Sequence, residues 1–150
     1  MDTQAILEKV ELFKGLSTTQ LQPIIDICEV VQYGKNSLIF SQYDTERHLY
    51  IILEGSASVE MALPDKVYTE QLAPITAHEI FGELALLDGH QRSATVRAID
   101  NLKVLLIRRE KLAKVMNTDH HIAAILFYNL SRILAARLRE TNVTLQNALL

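Results

Sequence analysis

The chain is expected to be mainly β with flanking helices, its strands forming an antiparallel sandwich or jelly roll. Three observations predict this. Between Glu29 and about Ile107, short apolar runs alternate with turn residues at a spacing that fits roughly eight strands. Before that stretch, and again after Arg109, apolar residues recur at helical intervals. With 150 residues, 49% hydrophobic and 22% charged, the chain is long and apolar enough to bury a core of its own.

The elements follow in order. Residues 3–14 carry Ile6, Leu7, Val10, Leu12 and Phe13 on a helical apolar face that ends near Gly15. Ser17 suits an N-cap, and Gln20 stands where a capping box needs it. Leu21, Ile24, Ile25 and Cys28 share one side of a short helix. Because Pro23 is best placed in a first turn, that helix is expected to begin at or just before Leu21. Residues 30–33 and 38–40 read as strands around the turn Gly34-Lys35-Asn36, with a polar loop over 43–47. Residues 48–53 form a buried strand by composition, and Glu54-Gly55-Ser56 turns the chain into 57–61. A hairpin tip is expected at 63–66 and a strand over 67–72; the last strands are 92–99 and 102–107. A short helix over 110–115 ends near Asn117, and Thr118 or Asp119 caps a long helix reaching toward Leu150. Along it Phe127, Ser131, Leu134, Leu138, Thr141, Leu145 and Ala148 recur at alternating steps of four and three. Leu126, Leu130 and Ile133 make a second stripe toward the sheets. Two stripes predict a parallel homodimer through this helix; the alternative is a monomer folding the helix over its own pocket.

One stretch interrupts the strands with a different chemistry. Gly82, in Phe81-Gly82-Glu83, can adopt backbone angles closed to other residues and lets a backbone or ligand approach closely. Glu83-Leu84-Ala85-Leu86-Leu87 is a run of strong helix formers, so a one-turn helix is expected to start at Gly82. Its unpaired N–H groups would suit an anion. Asp88-Gly89 reads as a turn, after which Arg92 opens a strand and faces the helix start with a fork fit to grip two phosphate oxygens. Glu83 would repel a phosphate, but it can accept a hydrogen bond from a sugar hydroxyl. Together these residues describe a pocket for a sugar phosphate.

The segment resembles the phosphate-binding cassette of the cyclic nucleotide-binding domain, the β-roll module of bacterial cyclic-AMP receptor proteins and of cyclic-AMP-dependent kinase regulatory subunits. The resemblance rests on Phe81-Gly82-Glu83-Leu84-Ala85 and Arg92-Ser93-Ala94-Thr95-Val96, separated by the family's usual gap, and extends over about 10–145. Residues 49–55 look like the family's strand into its most regular glycine. The resemblance implies an antiparallel β-roll (a double-stranded jelly roll) forming one domain across 1–150. In it, a helical lead-in spans 3–28, the roll 29–108 and C-terminal helices 109–150. It implies ligand contacts at Phe81, Gly82, Glu83, Leu84, Ala85, Arg92, Ser93 and Ala94. The Gly82 to Ala85 backbone and Arg92 would hold the cyclic phosphate, Glu83 the ribose hydroxyl, and Ser93 would add a hydroxyl donor. A threonine at that position accompanies cyclic-GMP preference in part of the family, so Ser93 points toward cyclic AMP. The segment from Arg137 to Asn142 resembles the one that reaches adenine in the bacterial receptors, which makes Thr141 and Asn142 candidate base contacts. Taken as residues alone, Thr141 fits the helix seam equally well and Asn142 a solvated amide. The chain has Asn36, Tyr43 and His78 where the family usually has glycine, and Gln91 before the arginine in place of proline. Asn tolerates left-handed geometry, but the bulk of Tyr43 predicts a rebuilt loop there.

Composition excludes several classes. A net charge of −3 leaves no broad basic field for nucleic acid, and a helix-turn-helix has no room before Leu150. No apolar run approaches the ~20 residues that cross a bilayer, and the start lacks a signal-peptide pattern. Cys28, the only cysteine, sits among Ile24, Ile25, Ile27 and Val30 and reads as a buried thiol, which suits a reducing, cytoplasmic setting. The five histidines are scattered without metal-ligand spacing, and no nucleophile elbow, Walker loop or dinucleotide glycine pattern occurs, so neither a metal nor an enzyme is expected. The expected function is a sensor that binds a cyclic nucleotide and relays occupancy through its last helix to an unidentified downstream protein. Two alternatives stand beside it. One is a ligand-free dimerisation or interaction roll, with Glu83 and Arg92 as a structural ion pair. The other is a regulatory segment of a longer channel, kinase or transcription factor.

Overall fold

The computed structural model describes residues 1–62, 69–71 and 74–150, the side chains of 69–71 and of Ala85 excepted. Helices α1 (Thr3–Leu7) and α2 (Thr18–Ile25) lead into strands β1 (Cys28–Tyr33), β2 (Leu38–Phe40), β3 (Leu49–Glu54), β4 (Ala57–Ala62), β5 (Thr69–Gln71) and β6 (Ile80–Phe81). A four-residue helix α3 (Ala85–Asp88) precedes β7 (Thr95–Ala98) and β8 (Leu102–Ile107); α4 (Arg109–Thr118) and the 30-residue α5 (His120–Leu149) complete the chain. The strands form two four-stranded sheets, ordered β1-β8-β3-β6 and β2-β7-β4-β5, with antiparallel pairings. This is the expected antiparallel β-roll with its long final helix. The hairpin tip expected at 63–66 lies outside the described residues; of the strand expected over 67–72, β5 is described.

The runs Leu49 to Leu53 in β3 and Val104 to Ile107 in β8 are continuously apolar because both faces of these strands are covered there. Tyr50, Ile52, Leu102, Val104 and Leu106 join Phe40, Phe81, Val96 and Ala98 in the core between the sheets. The alternate residues Leu49, Ile51, Leu105 and Ile107 join Leu7, Leu21, Ile24, Leu112, Leu126 and Leu130 in a second core beneath the helices. Period-two alternation decides which side chain enters which core. Burying each such Leu or Ile contributes roughly 1.5–3 kcal/mol.

The lead-in departs from a single helix over 3–14. α1 stops at Leu7, and a 3-10 turn (Glu11–Phe13) follows an extended Val10. With the break, Val10, Leu12 and Phe13 all turn inward, at 1–2% exposure. α2 begins at Thr18 rather than near Leu21. The capping box is complete there, Ser17 Oγ accepting from Gln20 N and Gln20 Oε1 from Ser17 N, and it sets the start despite Pro23 inside the helix. Asp119 is the cap of α5, its Oδ1 accepting from the N–H of His121 and Ile122. Leu126, Leu130 and Ile133 are buried, as their stripe predicted. Asn129, 9% exposed, donates to the carbonyls of Leu12 (2.8 Å) and Lys14 (2.9 Å), tying α5 to the lead-in.

The three residues standing in for glycine all keep left-handed backbones: Asn36 at φ 69°, Tyr43 at 76° and His78 at 69°. The loop at Tyr43 is therefore not rebuilt. Tyr43 N donates to Arg92 O and Arg92 N to Asp44 O, each at 2.8 Å, and this reciprocal pair holds the conformation against its steric cost.

Candidate functional site

The site lies where β6 ends and the chain turns into α3. Gly82, at φ 79°, makes the turn possible, and the helical turn proper begins at Ala85, later than the expected start at Gly82. The reason is local: Glu83 and Leu84 form the turn that accepts from Leu86 and Leu87, so they precede the helix as its first carbonyls. Arg92 likewise does not open a strand, because β7 starts at Thr95. Its backbone is instead committed to the loop pairing with Tyr43 and Asp44, which leaves the side chain to run inward.

Inward is where the guanidinium goes. Arg92 is 4% exposed, with Nη1 donating to Gly82 O (2.8 Å) and Nη2 to His48 O (2.6 Å) and Glu46 Oε1 (2.8 Å). Its Cζ lies 4.0 Å from the centre of the Phe40 ring, a cation–π contact made stronger by burial. Gly82 has no room for a side chain here: a Cβ would stand 2.6 Å from Arg92 Nη1 and 2.8 Å from His48 O. Glu46 also accepts from His48 N, and its charge bears on two neighbouring phenols. Burial first, and then the Glu46 carboxylate, raise both Tyr33 and Tyr50 above the ordinary tyrosine range.

Glu83 is 7% exposed and pairs with Arg137 of α5, whose Nη2 also donates to Ile80 O at 2.7 Å. This answers the objection to a carboxylate beside a phosphate pocket. The α5 cation offsets the charge while a second Glu83 oxygen stays available to accept from a hydroxyl. Glu83 and Arg92 are thus not each other's partners; each is paired with a residue far away in sequence.

The remaining expected residues are spread more widely. The Phe81 side chain belongs to the inter-sheet core, stacked on Tyr50 with centroids 4.9 Å apart, so it supports the site from behind. Leu84 is 44% exposed, Ser93 is exposed and Ala94 half-buried beside Arg92. Ala85 opens α3. Thr141 and Asn142 are exposed on α5, one turn beyond Arg137, with Thr141 Oγ1 donating to Arg137 O at 2.9 Å. Glu46, His48 and Phe40, the partners of Arg92, belong to no motif of the sequence. Arg137 stands in the sequence only as the start of the Thr141 segment, with nothing to mark it as the partner of Glu83. The available signal was an acidic residue directly before a buried strand, in a loop otherwise facing water. A cavity of about 260 Å³ lies apart from Arg92, between α4 and α5, and Leu86 of α3 lines it together with Leu112, Met116, Leu126 and Leu130.

The residues fit an anionic sugar. Arg92 Nε is buried without a partner, Glu83 is a buried acceptor, and the glycine at 82 allows close approach. No helix among the described residues is long and apolar enough to cross a membrane.

Comparison with known proteins agrees with this chemistry. The family model of the cyclic nucleotide-binding domain matches residues 30–119. A cAMP-dependent protein kinase regulatory subunit of Blastocladiella emersonii is 30% identical over 113 residues, covering 75% of this chain and 28% of the relative. The cyclic AMP receptor protein of Thermus thermophilus is 30% identical over 135 residues, covering 89% of this chain and 60% of the relative. The chain therefore spans less than two thirds of either relative. Among solved structures, a cyclic nucleotide-binding domain from Methylobacillus flagellatus shares the fold with a TM-score of 0.81, at 23% identity over 91% of this chain and 76% of that one.

Proposed function

The chain belongs to the cyclic nucleotide-binding domain family, and from that premise we propose that it is a sensor for a cyclic nucleotide, cyclic AMP in preference to cyclic GMP. The observation that carries the proposal is the buried guanidinium of Arg92 set against Gly82, ten residues upstream, with Glu83 buried beside it. Arg92 and the amides after Gly82 would hold the cyclic phosphate, and Glu83 would accept from the ribose hydroxyl. Ser93 in place of threonine, and the fact that both relatives are cyclic-AMP proteins, support the adenine nucleotide. Thr141 and Asn142 remain the proposed base contacts.

Relay through α5 is supported by two links. Arg137 joins α5 to Glu83, and Leu86 of α3 enters the apolar groove between α4 and α5. A ligand that draws on Glu83 or moves α3 would act on both. The exposed seam of Phe127, Leu138 and Leu145 supports a parallel homodimer through α5. We take 1–150 as one functional domain working in the cytoplasm on a downstream protein.

Calorimetric titration with cyclic AMP and cyclic GMP tests the proposal. Arg92→Ala should weaken binding by roughly 30-fold or more, about 2–5 kcal/mol, because it removes the partner of a desolvated charge. Undiminished affinity in a variant that still folds would refute the assignment. A second reading, an interaction roll without a ligand, draws support from the fact that Glu46 already holds Arg92. It predicts that neither nucleotide raises the melting temperature, whereas a ligand of the folded state must do so.

A further inference from the structure

Glu46 lies outside the cassette, yet its carboxylate is the anion seated on the cassette's arginine. Both two-toothed edges of a guanidinium run through Nη2, one shared with Nε and one with Nη1. In this protein the Nη2 hydrogens go to Glu46 Oε1 (2.8 Å) and His48 O (2.6 Å). Among the described residues, three buried side-chain polar atoms have no hydrogen-bond partner, and two of them, Arg92 Nε and Glu46 Oε2, belong to this pair. The pair is therefore held at one tooth and left unsatisfied at the other, an incomplete arrangement that a native core seldom keeps without a reason. The Glu46 side chain is 31% exposed against 3% for Arg92, so of the two partners Glu46 is the one that reaches solvent.

We propose that Glu46 is a built-in counter-anion that sets the ligand affinity of this site. A phosphodiester gripping Arg92 with two oxygens must take the Nη2 edge from Glu46 or share one buried cation with a second anion. Either course lowers affinity, since displacement gives up a charge-assisted bond and sharing adds like-charge repulsion. Glutamine at position 46 keeps the acceptor oxygen that orients Arg92 and removes the charge. The inference rests on the cyclic-nucleotide reading above.

The test is calorimetric titration of wild type and Glu46→Gln with cyclic AMP, beside urea unfolding of both proteins with no nucleotide added. Glu46→Gln should bind cyclic AMP about tenfold more tightly, equivalent to ~1.4 kcal/mol. Without nucleotide it should lose at least fivefold in its folding equilibrium, and Arg92→Gln should abolish that difference in the double variant. Binding by Glu46→Gln where wild type shows none would support the role equally. Nucleotide binding by both proteins with affinities within twofold, or weaker binding by the variant, overturns the role of Glu46 alone. Binding by neither overturns the cyclic-nucleotide reading and this inference with it.

Discussion

Gly82→Ala puts the site's construction to a quantitative test. At φ 79° an alanine pays the left-handed penalty, about 1–2 kcal/mol. Its Cβ would also stand 2.6 Å from Arg92 Nη1, 3.2 Å from Cζ and 2.8 Å from His48 O. A side-chain end can usually step aside, but this one is buried and bonded to three acceptors. Moving it forfeits at least one charge-assisted hydrogen bond, worth ~1.5–3 kcal/mol. The stiffer unfolded chain returns about 0.4–1 kcal/mol. The expected net loss is about 2–4 kcal/mol, read as a lower urea midpoint at unchanged slope. Gly15→Ala is the control. It shares a left-handed backbone (φ 92°) but nothing lies within 4 Å of its Cβ, so it should cost no more than ~1.5 kcal/mol. If the two variants unfold within ~0.5 kcal/mol of each other, Arg92 is not wedged against Gly82 as described.

Three further outcomes follow from Asn129 and Cys28. Asn129→Leu should cost about 2–3 kcal/mol in urea unfolding, because it leaves the Leu12 and Lys14 carbonyls without their donor; a loss under ~0.5 kcal/mol would mean that water replaces the amide. Burial pushes the Cys28 thiol from its ordinary 9.0 up to about 12, and its Sγ donates to Ile24 O at 3.2 Å. The thiol should therefore resist a disulfide reagent at pH 8 until the protein unfolds. A raised folded-state value also means stability that is complete below about pH 9 and lost as pH rises toward 12, so Cys28→Ala should flatten the alkaline limb of melting temperature against pH.

What could be read from the sequence was what local chemistry decides. The strands at 49–54 and 102–107 were legible because burial on both faces demands continuous apolar stretches, Leu49 to Leu53 and Val104 to Ile107. Ser17 and Gln20 announced a cap because its two bonds span only three residues. Phe81 to Ala85 and Arg92 were legible as a motif, and Gly82 and Arg92 do meet. Their charged partners were not, since Glu46 is 46 residues from Arg92 and Arg137 is 54 from Glu83. Such pairings follow from how loops and α5 close over the roll, and no local pattern encodes them. The break in the lead-in escaped notice because the 3-10 step preserves an apolar periodicity while redirecting the chain. Tyr43 misled for another reason: a bulky residue can hold a left-handed backbone when tertiary hydrogen bonds fix both its flanks.

The long terminal helix is unevenly held. It extends about 45 Å, yet its buried residues lie between Ile122 and Ile133, and from Arg139 onward every residue is exposed. Asn129 clamps the middle of the secured half to the lead-in, and Arg137 marks its far limit. Mechanically this is a beam fixed at one end with a free outer third. The ionic strut at Glu83 stands where support gives out, so a small tilt there would be magnified at the tip.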